Sequence, residues 1–163
     1  MEDKERRDEQ FVSAIRQNRA GMFRVARMML RNDSDAEEAV ADATMKAYAH
    51  IGSLRSWDAV RPWLMRITVN ASHKVLRTRK RETPSDEQSV FDRPAPEQKR
   101  ADIWDEVKKL DEKYSVPLTM FYAEDMSLAE ISRALRLTRG TVSSRLTRGR
   151  QKLKAMMEKE EAL

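Results

Sequence analysis

The stretch SLAEISRALRLTRGTVSSRLTRGR, residues 127–150, decides the fold. Ser127 and Glu130 have the spacing of a capping box, in which the Ser side chain bonds the N3 amide and the Glu side chain returns to the Ser amide. Leu128, Ile131, Ala134 and Leu135 then recur at helical spacing. After a turn of three to four residues, Thr138 is placed to cap another helix with Val142, Leu146 and Leu153 inside. A short capped helix, a tight turn and a second helix form a helix-turn-helix. The outer face of the second helix carries Arg139, Ser143, Ser144, Thr147 and Arg148, with Thr141 and Arg145 beside them. Such side chains reach base edges and phosphates from the major groove. An ordinary helical hairpin explains the spacing, but not the charge. Residues 132–154 hold eight basic residues and no acid.

A second window repeats that bias. Residues 61–81 contain Arg61, Arg66, Lys74, Arg77, Arg79, Lys80 and Arg81, again without an acid. The two windows carry +15 in a chain of net charge +5, so the other 119 residues carry −10. Solvated helix faces normally mix both signs, so two one-sign patches predict two separate polyanion contacts. The second patch also holds Trp63, Asn70 and His73, with Trp57 just before it. Aromatics among cations suit single-stranded nucleic acid, where bases stack on rings and cations follow phosphates. Periodicity puts Trp63 in the apolar stripe, as a core residue. Trp57 lies outside the stripe, and both readings stay open for it.

The rest of the 163-residue chain is consistent with helices throughout. Four Gly and five Pro are too few for a turn-rich sandwich or barrel. Phe11, Ala14, Ile15, Met22, Phe23, Ala26, Met29 and Leu30 mark a first helix, broken at Asn32-Asp33. Ser34 and Glu37 have the spacing of a capping box that opens a second, with Ala36, Val40, Ala43, Ala47 and Ile51 inside and Gly52-Ser53 at its end. Its polar side shows Asp35, Glu38, Asp42 and Lys46, a solvated face by periodicity alone. Pro62 suits the first turn of a third helix, which buries Val60, Trp63, Leu64, Ile67, Ala71 and Val75. Residues 82–96, ETPSDEQSVFDRPAP, hold three of the five prolines and a net −3. They read as an extended, mobile linker. Beyond it Ile103, Trp104, Val107 and Leu110 line another helix, and Val116-Pro117 open a short apolar one. The predicted organisation is two small all-α domains, residues 1–81 and 97–163, joined by 82–96.

Several functions are excluded. Cysteine is absent and there are two histidines, so neither thiolate chemistry nor a His-rich metal site is expected. There is no P-loop, no dinucleotide fingerprint and no H-E-x-x-H. No apolar run reaches the ~18–20 residues of a membrane span, and MEDKERRDEQ offers no signal peptide. A soluble, cytoplasmic, non-enzymatic protein without cofactor or metal is expected. A dimeric helix-turn-helix repressor and an adaptor that binds acidic protein remain rivals. The first needs a dimerisation surface in residues 1–81, where a basic, aromatic helix stands instead.

Three segments carry a family resemblance. DAEEAVADATMKAYAHI (35–51), RPWLMRITVNASHKVLRTRKR (61–81) and LDEKYSVPLTMFYAEDMSLAEISRALRLTRGTVSSRLTRGRQKLK (110–154) resemble, in order, the region 2 and region 4 motifs of extracytoplasmic-function (ECF) sigma factors of the sigma-70 family. The resemblance covers about residues 10–155. It implies a promoter-recognition subunit of bacterial RNA polymerase with no catalysis of its own. Asp35, Glu38, Asp42 and Lys46 would then dock on the clamp helices of the largest core subunit, in place of the solvated reading. The C-terminal domain would meet the flap of the second-largest subunit. Trp57, Arg61, Arg66, Asn70, His73, Lys74 and Arg77 would open and read the −10 element as single strand, with Asn70 nearest the unstacked base. Arg139, Thr141, Ser143, Ser144, Arg145, Thr147 and Arg148 would read the −35 element as duplex. The family also implies an anti-sigma factor, often membrane-bound, that holds the protein inactive.

Four positions depart from the family's pattern. Ser132 stands at a usual small residue and Lys74 at a usual Asp. Arg136 stands at the usual turn glycine, at a cost of order 1 kcal/mol if left-handed. Asp125 replaces another glycine and tolerates that conformation better. No long sensor domain is expected after residue 155.

Overall fold

The computed structural model describes residues 1–82 and 102–162, and every regular element among them is helical. Helices α1 (Glu2–Leu30), α2 (Asp33–Ala49) and α3 (Val60–Glu82) pack on one another as a bundle. Met22, Val25, Ala26 and Leu30 of α1 close over Ala36, Ala39, Ala43 and Ala47 of α2 and over Leu64 and Met65 of α3. The four alanines let α2 lie close against its neighbours. α3 is buried more broadly than its apolar stripe predicts, because Thr68 and Ser72 also face inward. Their hydroxyls donate to the carbonyls of Leu64 (2.8 Å) and Thr68 (2.9 Å), which satisfies them without a partner helix.

Trp63 packs on this core but is only half buried, and so is Trp57, in a 3-10 turn (Trp57–Ala59) ahead of α3. Pro62 falls in the first turn of α3, as expected. The cap of α2 differs from the sequence reading. Asn32, in extended conformation, accepts from the Asp35 amide at 2.8 Å, and Ser34 lies inside the helix. Asn is at least as good an N-cap as Ser, so the earlier start wins.

The second half contains α4 (Ile103–Val107), α5 (Glu112–Leu118), α6 (Leu128–Leu135) and α7 (Arg139–Ala162). Val107 and Leu110 are buried as expected; Ile103, at the first position of α4, is 45% exposed. α5 begins at Glu112 rather than Val116, with Pro117 inside it. Pro117 removes one donor from the ladder, and the chain widens directly after it into a π turn (Thr119–Ala123). The Glu124 amide bonds the Thr119 carbonyl at 3.2 Å, and Asp125 follows with φ 52°. α3 packs against α6, and α1 against α5 and the π turn, so the halves share a seam. The expected linker, apart from Glu82 at the end of α3, lies outside the described residues, as does the start of the second half at 97–101. No helix among the described residues is long and apolar enough to cross a membrane.

Candidate nucleic-acid interface

Local chemistry builds the helix-turn-helix. The Ser127 hydroxyl accepts from the Glu130 amide at 3.1 Å, and the Glu130 carboxylate accepts from the Ser127 amide at 3.0 Å. α6 ends where Arg136 turns left-handed (φ 58°, ψ 47°). The Ser132 hydroxyl donates to the Leu137 carbonyl, which ties the corner. Thr138 then caps α7, accepting from the Thr141 amide at 3.1 Å. Val142 and Leu146 are buried, and Gly149 lies against α5, where a Cβ would stand 3.0 Å from Leu118 Cδ1. These anchors leave Arg139, Ser143, Ser144, Thr147 and Arg148 exposed along the outer face. Thr141 differs: its hydroxyl lies 2.9 Å from that of Thr138, inside the cap. Arg145 is half buried and lines a cleft shared with α3.

The α3 set is divided. Lys74 and Arg77 are exposed. Arg61 donates to Glu130 through Nη2 (2.7 Å) and Nε (3.2 Å), and to the Glu124 carbonyl at 3.2 Å. His73 Nε2 lies 2.5 Å from Glu112 Oε2. Arg66, Asn70 and His73 line a cleft of about 330 Å3 whose opposite wall includes Glu112, Arg136 and Arg145. Most of the residues expected to meet a melted strand thus face the second half of the chain. Arg24 adds a further tie, to Glu124 at 2.5 and 3.1 Å, and Arg31 donates to the Lys108 carbonyl at 2.5 Å. Gly21 in α1 makes room for this contact, since a Cβ there would press on Glu124 Oε1.

The seam alters proton affinities. The hydrogen bond to Glu112 raises His73 above its ordinary 6.5, against burial and Arg77, which lower it. Burial pushes Glu130 up, but the Arg61 guanidinium, the Ser127 amide and the Arg133 charge outweigh it and hold the carboxyl below 4.5. Burial and the nearby Arg136 charge lower Arg66.

On α2 the four acidic-face residues have unequal surroundings. Asp35 ion-pairs with Arg79 of α3 and accepts from the Asn32 side chain at 2.9 Å. Asp42 pairs with Lys46 at 3.2 Å, whereas Glu38 is exposed. Met45, 73% exposed, and Tyr48 extend this face with apolar surface that the sequence reading did not single out. Also missed were Glu112 and Glu124 as partners of the first half, and Glu130 as more than a cap. Among the described residues no three His, Asp or Glu gather as a metal site.

Family models match both halves: "Sigma-70 region 2" over residues 14–82 and "Sigma-70, region 4" over residues 100–153. The chain is 29% identical over 150 residues to the ECF RNA polymerase sigma factor SigM of Mycobacterium tuberculosis, covering 90% of this chain and 76% of that one. It is 24% identical over 153 residues to the RNA polymerase sigma factor SigV of Bacillus subtilis, covering 92% of each. Among solved structures, the fold resembles the sigma factor RpoE of Bartonella quintana in complex with the anti-sigma factor NepR. That likeness has a TM-score of 0.74 at 22% identity and covers 91% of this chain and 96% of that one.

Proposed function

The chain belongs to the sigma-70 family as an ECF-type RNA polymerase sigma factor, and we propose that its two halves divide promoter recognition between them. It is a transcription initiation factor, not an enzyme: it binds core RNA polymerase and promoter DNA. The first half, residues 1–81, docks on the core enzyme through α2 and uses α3 to open and read the −10 element. The second half, residues 97–163, holds the −35 element as duplex through α7. One observation carries this division: each half presents its own acid-free cationic stretch on a helix, residues 61–81 of α3 with Asn70 and the half-buried Trp63, and residues 139–154 of α7 with a Ser/Thr/Arg face. Melting calls for stacking and a pocket for an extruded base. Duplex reading calls for a helix in a groove.

Because Arg61, Arg66 and His73 face α5 and α6 across the seam, the compact arrangement is the DNA-free one, and α3 becomes accessible when the halves part. The RpoE relative was solved with an anti-sigma factor, and we assign this chain a partner of the same kind. It acts in the cytoplasm.

Run-off transcription with core polymerase on a randomised promoter library tests the reading. Transcripts from a subset sharing a −10 and a −35 sequence are expected. Binding of duplex DNA by a dimer of the chain, with no transcript when core is added, would overturn it in favour of a repressor.

A further inference from the structure

The cleft between α3 and the second half has an unbalanced charge. Arg66 enters it from α3, Arg136 from the corner between α6 and α7, Arg145 from α7 and Lys113 from α5. None of these four forms an ion pair among the described residues. The nearby acids are already engaged, Glu112 with His73 and Glu130 with Arg61. Three guanidiniums and an ammonium therefore line about 330 Å3 with one carboxylate among them. Asn70 adds an amide at the same cleft. Arg66 and Arg145 are half buried, Arg136 and Lys113 exposed. Like charges gathered there repel, and burial together with the Arg136 charge lowers the proton affinity of Arg66.

We propose that this cleft is a binding site for a small polyanion bearing a di- or triphosphate chain, and that the ligand bridges the two halves. Guanidinium forks match phosphate oxygens two at a time, and such charge-assisted bonds are about twice as strong as neutral ones. The cleft lies at the lower end of the ~300–1,000 Å3 range of small-molecule sites. Its lining also includes the apolar Ile67, Val116 and Leu137, beside which each charge contact is strengthened. Two origins share this chemistry, a free inorganic polyphosphate and a nucleotide. Because the walls come from both halves, the site exists only when they are together, so a ligand there favours the compact arrangement. At a hundredfold excess over its Kd it shifts the compact-to-parted ratio about a hundredfold. The same cations are then unavailable to DNA.

Calorimetric titration of the full chain, without polymerase or DNA, tests this. The probes are inorganic tripolyphosphate and GTP at about 0.15 M salt. One saturable site is expected. Arg136→Ala should weaken binding at least ~10-fold, as loss of a charged hydrogen-bonding group does, while Arg136→Lys, which keeps the charge and loses the fork, should fall between Arg136→Ala and the unmodified chain. Lys154→Ala, on the exposed far part of α7, should leave it unchanged. Glu130→Ala, which loosens the seam and leaves the four cations in place, should weaken it several-fold. Tighter binding of GTP identifies a nucleotide; equal binding identifies the phosphate chain alone. Absence of saturation, or equal losses in Arg136→Ala and Lys154→Ala, overturns the site. Unchanged binding in Glu130→Ala overturns the bridging. None of these outcomes bears on whether the chain directs transcription, which the run-off assay decides separately.

Discussion

Arg139 and Arg148 are both exposed on α7, but their positions give them different work. Arg139 is the first residue of the helix, where free amides and the helix dipole already favour phosphate. Arg148 lies more than two turns further along, on the face shared with Ser144 and Thr147. Arg148→Ala is expected to cost ~1–3 kcal/mol at cognate promoters and to relax preference at one base pair. Arg139→Ala should weaken all promoters about equally and lower the salt slope by about one unit. A set of −35 variants measured at two salt concentrations separates the two. Unchanged base preference in Arg148→Ala would assign specificity to Ser143, Ser144 and Thr147. At this scale the sequence is readable where chemistry is local. The Ser127–Glu130 box and the Thr138 cap follow from residue type and spacing alone, whereas the left-handed Arg136 and Asp125 follow only from the glycines that the family resemblance puts at those positions. The cap of α2 does not, because Asn32, taken as a break, competes with Ser34 two positions on.

Among the elements, α2 shows how tertiary contacts sort residues that spacing treats alike. Asp35, Glu38 and Asp42 lie on one acidic side, but Asp35 is held to α3 by Arg79 and is bonded to Asn32, the cap of its own helix. Glu38 is left as the free carboxylate of the three. Glu38→Lys should therefore weaken affinity for core polymerase without moving the urea midpoint. Asp35→Ala keeps the backbone cap bond to Asn32 but loses the Arg79 pair and the bond from the Asn32 side chain. It should lower stability by about 1 kcal/mol and reduce core affinity less. Equal losses of core affinity would mean that Asp35 contacts the polymerase through its Arg79 pair. α5 was the least readable helix. Pro117 suggests a start, since proline favours first turns, yet Glu112 to Val116 fold ahead of it. The widened turn that follows has no local signature.

For the molecule as a whole, the seam escaped the sequence because its pairs join residues 39 to 100 positions apart. Neither periodicity nor charge windows register such contacts. Glu130 and His73 give the seam a pH window. The Glu130 carboxyl is depressed, so its contribution is present above 4.5 and lost as pH falls through its lowered value. His73 is raised, so its contribution is complete below 6.5 and lost as pH rises through its elevated value. Both act fully between about 4.5 and 6.5, and there the compact arrangement should be most populated. Partial exposure keeps each pair within about 0.2–1 kcal/mol. Small-angle scattering across pH 4 to 9 is expected to show the smallest radius in that window, with its upper limb abolished in His73→Gln. A pH-independent radius in the unmodified chain would remove His73 and Glu130 from control of the seam.

Gly21 sits in the body of a 29-residue helix, where alanine would be more favourable by roughly 0.5–1 kcal/mol. The added methyl would press on the Glu124 carboxylate and loosen its grip on Arg24. One substitution thus strengthens a helix and slackens the embrace between halves, so the two traits move in opposite directions. In a cell, such a change, one base in the codon, is a route to an allele that escapes restraint while remaining well folded. A selection for promoter output under inhibitory conditions should recover Gly21→Ala among its survivors. The purified variant should melt no lower than the parent and yet scatter as a larger particle. A variant that stays as compact as the parent would show that the Glu124 side chain swings aside at no cost, and that the glycine restrains nothing.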